Sequence, residues 1–399
     1  FKQKTAYEIM PSLVGSEMCI RDRPYSRQSI DSKDIQAVTR VLRSNWLTSG
    51  PEIERFEQNF SNTVNSKYSI SCSSGSAALH LAILSLNLKP NDLVIVPSIT
   101  FVSTANSVMH SGANIIFADV NKNNGLMEFK HFEQALLLGK NKIKAIIPVH
   151  LGGQCIDNEK IYHKAKKLGI RIIEDGAHAM GTTYKSKKKL ISTGSCKHSL
   201  MTCFSLHPIK TITTGEGGVV TTNNKELRNR LMSLRNHGIL RNKKFSPWYY
   251  EINEIGYNYR MTDFQAALGS SQIKKIKIFI KKRTELANYY KKSLSDLPYF
   301  LKPILRVSEC NSSWHLYPIL IDFKKIGLDK GKLMEKMMQK GITTQVHYIP
   351  LHKHNVYKRK YGKIHLPGAE NYYEKSLSLP LFPSTVSYTH LTLPTILLV

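Results

Sequence analysis

The sequence predicts an α/β fold with a parallel-rich sheet, and three observations carry that prediction. Short, continuous Ile/Val-rich runs recur at "DLVIVP" (92–97), "ANIIFADV" (113–120), "IKAIIPVH" (143–150) and "IRIIEDG" (170–176). Segments of helical character separate them, the pattern of parallel strands covered on both faces. The chain has 399 residues, enough for one large α/β domain and a smaller companion.

Taken in order, "DSKDIQAVTRVLRS" starts at an N-cap, Asp31, and sets Ile35, Val38 and Leu42 along one helical face. "SGSAALHLAILSLNL" is a second, more apolar helix opened by Ser74-Gly75-Ser76. The four apolar runs follow as strands, and "SLMTCFSLH" (199–207) is a further one. "MTDFQAALGSSQIKKIKIFIKKRTELANYYKKSL" (261–294) reads as one long helix from the cap residues Thr262-Asp263, leading into a smaller domain. "HLYPILIDF", "GITTQVHYIP" and "AENYYEKSLSLPLFP" suit a small α+β C-terminal domain. The expected division is a large domain at 24–275 and a small one at 276–384. Segments 1–23 and 385–399 lack periodicity and read as non-native extensions resembling translated adapter sequence.

The formal charge of +28 is high. It is compatible with a nucleic-acid or membrane partner, with collection of an anionic substrate, or with lysine-rich solvated helices such as "KAKKLG" and "KKIKIFIKKR". No basic stretch carries interleaved aromatics, so nucleic acid is not expected as a partner. No apolar run is long enough to span a bilayer, so no membrane partner is expected either. The six cysteines show neither CxxC pairs nor metal-ligand spacing; no metal is expected, and they read as reduced thiols of a cytoplasmic protein.

Three constellations carry chemistry. In "IRIIEDGAHAMG" an apolar strand ends at Glu174-Asp175, where ligands gather in open α/β sheets. Asp175 could be a helix cap or could hold a protonated ring nitrogen. In "FSLHPIKTITTGEGGVV" (204–220), Lys210 sits between a His-Pro pair and a Thr/Gly-rich turn. Most lysines are surface charges; a reactive one needs a lowered pKa and a fixed position. In "SCSSGSAALHLA", Ser74-Gly75-Ser76 at a helix start offers free N–H groups and hydroxyls, suited to a phosphate or simply to capping. Each feature alone has an ordinary explanation. In this order on one α/β chain they describe the needs of pyridoxal 5′-phosphate: a phosphate seat, an acid for the pyridine nitrogen, and an amine for the aldehyde.

With these motifs and "SNWLTSGPEIERFEQNF", "PSITFVSTANSV", "RNHGI" and "GYNYRMTDFQAALG", the chain resembles the DegT/DnrJ/EryC1/StrS sugar aminotransferases from residue 24 to residue 384. The resemblance implies a fold type I (aspartate aminotransferase-like) architecture. It implies Lys210 and Asp175 as catalytic residues, with Lys210 bonded to the cofactor aldehyde and Asp175 facing its ring nitrogen. His178 would lie near the ring oxygen, Phe101 would stack on the ring, and Gly75, Ser76 and Ser205 would bind phosphate. Asn258 would reach the phosphate region from the partner subunit of a homodimer with shared active sites. Tyr25, Asn45, Trp46, Leu47, Thr48, Gln345, Val346, His347 and Tyr348 would contact a nucleotide sugar. "PYSRQSI", "SNWLTSGP" and "TQVHYIPLH" most resemble the branch acting in pseudaminic acid synthesis. That branch moves the amino group of L-glutamate to C4 of a UDP-linked 4-keto-6-deoxy-N-acetylhexosamine. A different ketosugar nucleotide, or a cofactor-binding regulator without turnover, are the alternatives.

Overall fold

The computed structural model describes residues 24–384 apart from 157, 242–245 and 295–299. The two segments expected to be non-native, 1–23 and 385–399, lie outside the described residues. Helix α1 (Ser32–Leu42) begins as expected: Asp31 accepts the Lys33 and Asp34 N–H groups, while the Asp34 carboxylate accepts the Asp31 N–H. Its buried face is not the expected one. Asp34 and Val41 are buried, whereas Ile35 and Leu42 are 61% and 57% exposed. The reason is electrostatic: Lys275 Nζ and Gln272 Nε2 both donate to Asp34, which turns that side of the helix inward.

After α2 (Pro51–Val64) the main layer is built from β1 (Tyr68–Cys72), α3 (Gly75–Leu84), β2 (Leu93–Pro97), α4 (Val102–His110) and β3 (Asn114–Ala118). It continues through α5 (Phe129–Gly139), β4 (Ile143–Ile146), α6 (Asn158–Lys167) and β5 (Arg171–Asp175). A hairpin, β6 (Thr183–Ser186) and β7 (Lys189–Ser192), precedes β8 (Met201–Ser205) and β9 (Gly218–Thr222). The seven-stranded sheet has the order β1-β9-β8-β5-β4-β2-β3. The neighbours from β8 to β3 are parallel, and β9 runs antiparallel to both β8 and β1. Alternation explains the continuous apolar runs: Val94 and Val96 join the core on one face of the sheet, and Ile95 joins the core on the other.

The sequence reading took Thr213, Thr214 and Gly215–Gly218 as a turn-rich segment and gave Val219-Val220 no element. The structure places Gly218, Val219 and Val220 in strand β9, with Ser205 opposite Gly218, so residues 206–217 form one broad hairpin loop. After α7 (Lys225–Arg235) and a short hairpin of β10 (Ile239–Leu240) and β11 (Glu251–Ile252), the expected single long helix is two. Helix α8 (Asp263–Ile273) ends at Lys274, and α9 (Ile276–Ser293) restarts after Lys275. The break lets Lys275 reach Asp31 at 2.9 Å and also Asp34.

The C-terminal part holds β12 (Leu301–Pro303), β13 (Cys310–Asn311), β14 (Tyr317–Ile321), α10 (Lys330–Gln339), α11 (Asn355–Tyr361), α12 (Pro367–Lys375) and β15 (Ser376–Leu379). An antiparallel sheet, β12-β14-β15, packs its own core with α9 and α10 through Ala287, Tyr290, Ile319, Leu333 and Leu377. Leu351, Tyr357, Ala369 and Tyr372 instead pack on the cores of the large sheet. Segment 345–348 is thereby suspended over the strand ends, where a site can form.

Candidate active site

A cavity of about 600 Å³ opens at the carboxyl ends of β5 and β8 and the N-terminus of α3. Asp175 is the last residue of β5 and is buried. Thr104 Oγ1 donates to its Oδ2 at 2.7 Å, and the Ala177 N–H donates to Oδ1 at 3.1 Å. Thr100 and Thr104 share a hydroxyl–hydroxyl bond of 2.7 Å, so the carboxylate stands at the end of a relay from the first turn of α4. The carboxylate therefore has one orientation.

Lys210 lies on the hairpin loop between β8 and β9. That loop is closed by Leu206 N–H to Gly217 O at 2.8 Å, Thr214 N–H to Leu206 O at 3.0 Å, and Thr213 Oγ1–H to Leu206 O at 3.0 Å. The threonines that framed the lysine in sequence thus close its loop in space. Lys210 lines the cavity, where burial lowers its amine to about 8, with Asp175 opposing the shift. A neutral amine is the nucleophilic form, so this environment raises its population near neutrality.

Ser74 caps α3, its hydroxyl accepting the Ala77 N–H at 3.1 Å, and Ser76 Oγ meets Ser103 Oγ at 2.6 Å. First-turn N–H groups have no acceptor within their own helix and carry the positive end of its dipole. Glycine is required at two positions here. A Cβ at Gly75 would lie 2.6 Å from Ser205 Cβ, and one at Gly218 would lie 2.1 Å from the Ser74 carbonyl oxygen. Glycine thus lets the start of α3 pack directly on the ends of β8 and β9, and this junction borders the cavity.

His178 is buried beside the lysine. Its Nδ1 accepts the Gly152 N–H at 3.3 Å, which leaves the proton on Nε2, 3.2 Å from Tyr348 Oη. Burial holds its pKa well below the usual histidine range, with Lys210 and His347 adding to the effect. His347 is held down to about 3, by burial and then Lys210, and its Nδ1 meets Ser378 Oγ at 2.9 Å.

Of the residues singled out in sequence, the structure brings Tyr25, Gly75, Ser76, Phe101, Asp175, His178, Ser205, Lys210, Gln345, Val346, His347 and Tyr348 around this one cavity. Asn45, Trp46, Leu47, Thr48 and Asn258 do not line it. Thr48 bridges to Thr262, Asn258 bridges to Asn236, and Trp46 and Leu47 are 56% and 49% exposed. Two residues escaped the sequence reading. Thr104 has only its place three residues after Phe101 as a signal. His315 has none beyond standing just before a strand, yet it lines the cavity and its ring lies tilted against His178, with centroids 4.2 Å apart. Both of its ring nitrogens are buried without a protein partner. Arg283, buried in α9, donates to the carbonyls of Trp314, His315 and Leu381 and so fixes the backbone that presents His315.

The residues present fit pyridoxal phosphate: a helix N-terminus with the Ser76 and Ser205 hydroxyls at the cavity, a singly oriented carboxylate, and an amine of lowered pKa facing the same space. Together with the seven-stranded parallel-rich sheet they define a fold type I pyridoxal phosphate-dependent enzyme. The match of residues 28–389 to the model of the DegT/DnrJ/EryC1/StrS aminotransferase family is decisive, and the chain belongs to that family. It is 38% identical over 357 residues to a UDP-4-amino-4,6-dideoxy-N-acetyl-β-L-altrosamine transaminase of Campylobacter jejuni, covering 89% of this chain and 91% of that protein. Among solved structures it is similar to Helicobacter pylori PseC, an aminotransferase of pseudaminic acid biosynthesis. TM-score is 0.86 and identity 31%, over 94% of this chain and 98% of that one. It is also similar to the PLP form of Spr1654 from Streptococcus pneumoniae, with TM-score 0.85 and 27% identity over 94% and 98% of the two chains. The protein is a sugar aminotransferase, and pyridoxal phosphate is its cofactor.

Proposed function

We propose that this enzyme moves the amino group of L-glutamate to C4 of a UDP-linked 4-keto-6-deoxy-N-acetylhexosamine, in the cytoplasm, as a homodimer with shared active sites. The observation that carries the reading is the single cavity in which Lys210, Asp175 and the α3 N-terminus meet the segment Gln345–Tyr348 and Tyr25. Likeness to the altrosamine transaminase and to PseC supports the choice of sugar.

Bound pyridoxal phosphate supplies an aldehyde that takes up the amino group and a ring that withdraws electrons from the carbon losing a proton. Lys210 holds that aldehyde between turnovers and, once released, moves protons. Its Nζ takes the Cα proton of glutamate in the first half-reaction and gives a proton to C4 of the sugar in the second. Asp175, oriented by Thr104 and Ala177, holds the proton on the ring nitrogen. Gly75, Ser76 and Ser205 seat the phosphate. His178 and Tyr348 form one wall, and Phe101, 6.0 Å from the Tyr348 ring centroid, supplies a face for stacking.

A second copy of the chain is the proposed source of the residues that lie outside the cavity. Asn45–Thr48 and Asn258 flank a second depression of about 840 Å³ lined by Ser49, Asn236 and Arg260, and Leu42, Trp46 and Leu47 expose apolar surface near it. The test is a panel of UDP-, GDP- and dTDP-linked 4-ketosugars with glutamate, reading 2-oxoglutarate release. Turnover of the UDP-N-acetyl sugar is expected; turnover of only another nucleotide sugar overturns the choice of substrate. Binding of cofactor with no 2-oxoglutarate from any member overturns catalysis.

A further inference from the structure

Two thiols from segments far apart in sequence meet behind the cavity. The Cys155 N–H donates to Cys310 Sγ at 3.1 Å, which sets the two cysteines side by side. Cys155 is fully buried, with its Sγ 3.1 Å from Thr193 Oγ1; Cys310 is half-buried, and among the described cysteines it alone reaches the surface. We propose that Cys155 and Cys310 form a peroxide-sensitive thiol pair that closes to a disulfide and thereby disturbs the active site.

The environment favours Cys310 as the attacking sulfur. Its thiol is lowered by the neighbouring Cys155 side chain first, and then by the Cys155 N–H, Arg306 and His150, against the effect of burial. Burial pushes Cys155 well up, so one thiolate forms and its neighbour keeps its proton. The Cys310 thiolate attacks an oxygen of hydrogen peroxide: the S–O bond forms as O–O breaks, giving a sulfenic acid and a hydroxide that takes a proton from solvent. Sulfur loses two electrons and peroxide gains them. The Cys155 sulfur then attacks the sulfenic sulfur, forming S–S and breaking S–O, and the hydroxyl leaves as water with the Cys155 proton. A dithiol reductant reverses the change by exchange.

The consequence follows from what each segment holds. Cys155 ends the turn in which the Gly152 N–H donates to His178 Nδ1; Cys310 begins the strand leading to Ser313, whose hydroxyl donates to the His178 carbonyl at 3.1 Å. Drawing the sulfurs to about 2.05 Å pulls both supports of His178 together. Displacement near 1 Å in a catalytic site can cost on the order of 100-fold in rate.

The experiment treats the cofactor-loaded enzyme with hydrogen peroxide, maps peptides without reduction, and assays transamination before and after dithiothreitol. The expected result is a 155–310 crosslink, a loss of turnover of tenfold or more, and recovery of both on reduction. In Cys155→Ser a dimedone-trapped sulfenic acid should remain on Cys310, and in Cys310→Ser neither product should form. Iodoacetamide labelling of Cys310 in the untreated enzyme should rise at a lower pH than that of an ordinary thiol. No crosslink in the wild-type protein, or the same trapping in Cys310→Ser, overturns the pair; a crosslink that leaves turnover unchanged overturns its effect on the active site.

Discussion

A closed hairpin loop delivers Lys210 into the cavity rather than to solvent. Its amine loses half its protons near pH 8 instead of near 10.5, because burial penalises the charged form while Asp175 only partly restores it. Attachment of pyridoxal phosphate to the cofactor-free protein should therefore accelerate with rising pH and reach half its maximal rate near 8, read from the absorbance of the bound cofactor. Asp175→Asn removes the charge that favours the ammonium, so the midpoint should move down. A midpoint near 10 in the wild type would show that the cavity does not desolvate the amine. Borohydride trapping should place the cofactor on Lys210 alone. Thr104→Val should leave the fold intact and lower kcat roughly tenfold, since one oriented hydrogen bond to a charged group contributes about 1.5 kcal/mol. The assay should show a change in kcat larger than that in glutamate KM. Lys210 and Asp175 were legible in sequence because their motifs, with Ser74-Gly75-Ser76, follow in one order on an α/β chain. Thr104 and His315 were not, because their roles depend on which strand ends the sheet brings side by side.

Among the elements, the junction of α3 with β8 and β9 borders the cavity where the phosphate is proposed to sit. Gly75→Ala places a Cβ 2.6 Å from Ser205 Cβ, a distance that forces the helix start and the strand end apart. Weaker binding of the cofactor by tenfold or more is expected by fluorescence titration, with helix content by circular dichroism unchanged. Helix α9 supports the other wall. Arg283 is the largest fully buried side chain among the described residues, and burial lowers its guanidinium to about 10 while it serves three carbonyls. Arg283→Met should cost on the order of 3 kcal/mol in urea unfolding, since those carbonyls lose a charged donor. The division of the long helix into α8 and α9 was hidden in sequence. A run "SSQIKKIKIF" has no breaker, and the break exists only because Lys275 is pulled toward the N-terminus of α1.

At the scale of the whole molecule, a polar chain ties the C-terminal segment to the large sheet. Ser98 Oγ, after β2, meets His352 Nδ1 at 2.7 Å, and His352 Nε2 meets Glu370 Oε1 at 3.1 Å. Burial alone would raise the Glu370 carboxyl, but the Leu366 N–H, His352, Lys353 and His365 together hold it at about 2 against an ordinary 4.5. A depressed carboxylate contributes stability that is complete above its unfolded value and is lost as pH falls through the folded one. With the side chain 20% exposed, a contribution of about 2 kcal/mol is expected above pH 5, declining between pH 4.5 and 2. Glu370→Gln should flatten that part of the pH–stability curve measured by thermal melting; an unchanged slope would show that the linkage is not energetic. Among the described residues, no helix is long and apolar enough to cross a membrane, and no group of His, Cys, Asp or Glu could hold a metal.

What the sequence determined by itself was local and periodic. Two-faced apolar runs dictate parallel strands, the caps at Asp31 and Ser74 fix helix starts, and Asp175 and Lys210 stand out only when their motifs are read together in order. Tertiary structure alone decided the antiparallel course of β9, the inward turn of Asp34 in α1 and the meeting of His315 with His178. It also decided that Cys155 and Cys310 lie together. The physical reason is range: backbone propensity and burial periodicity act over a few residues and can be read along the chain. Hydrogen bonds, charge pairs and desolvation act between groups that become neighbours only when the strands are laid side by side.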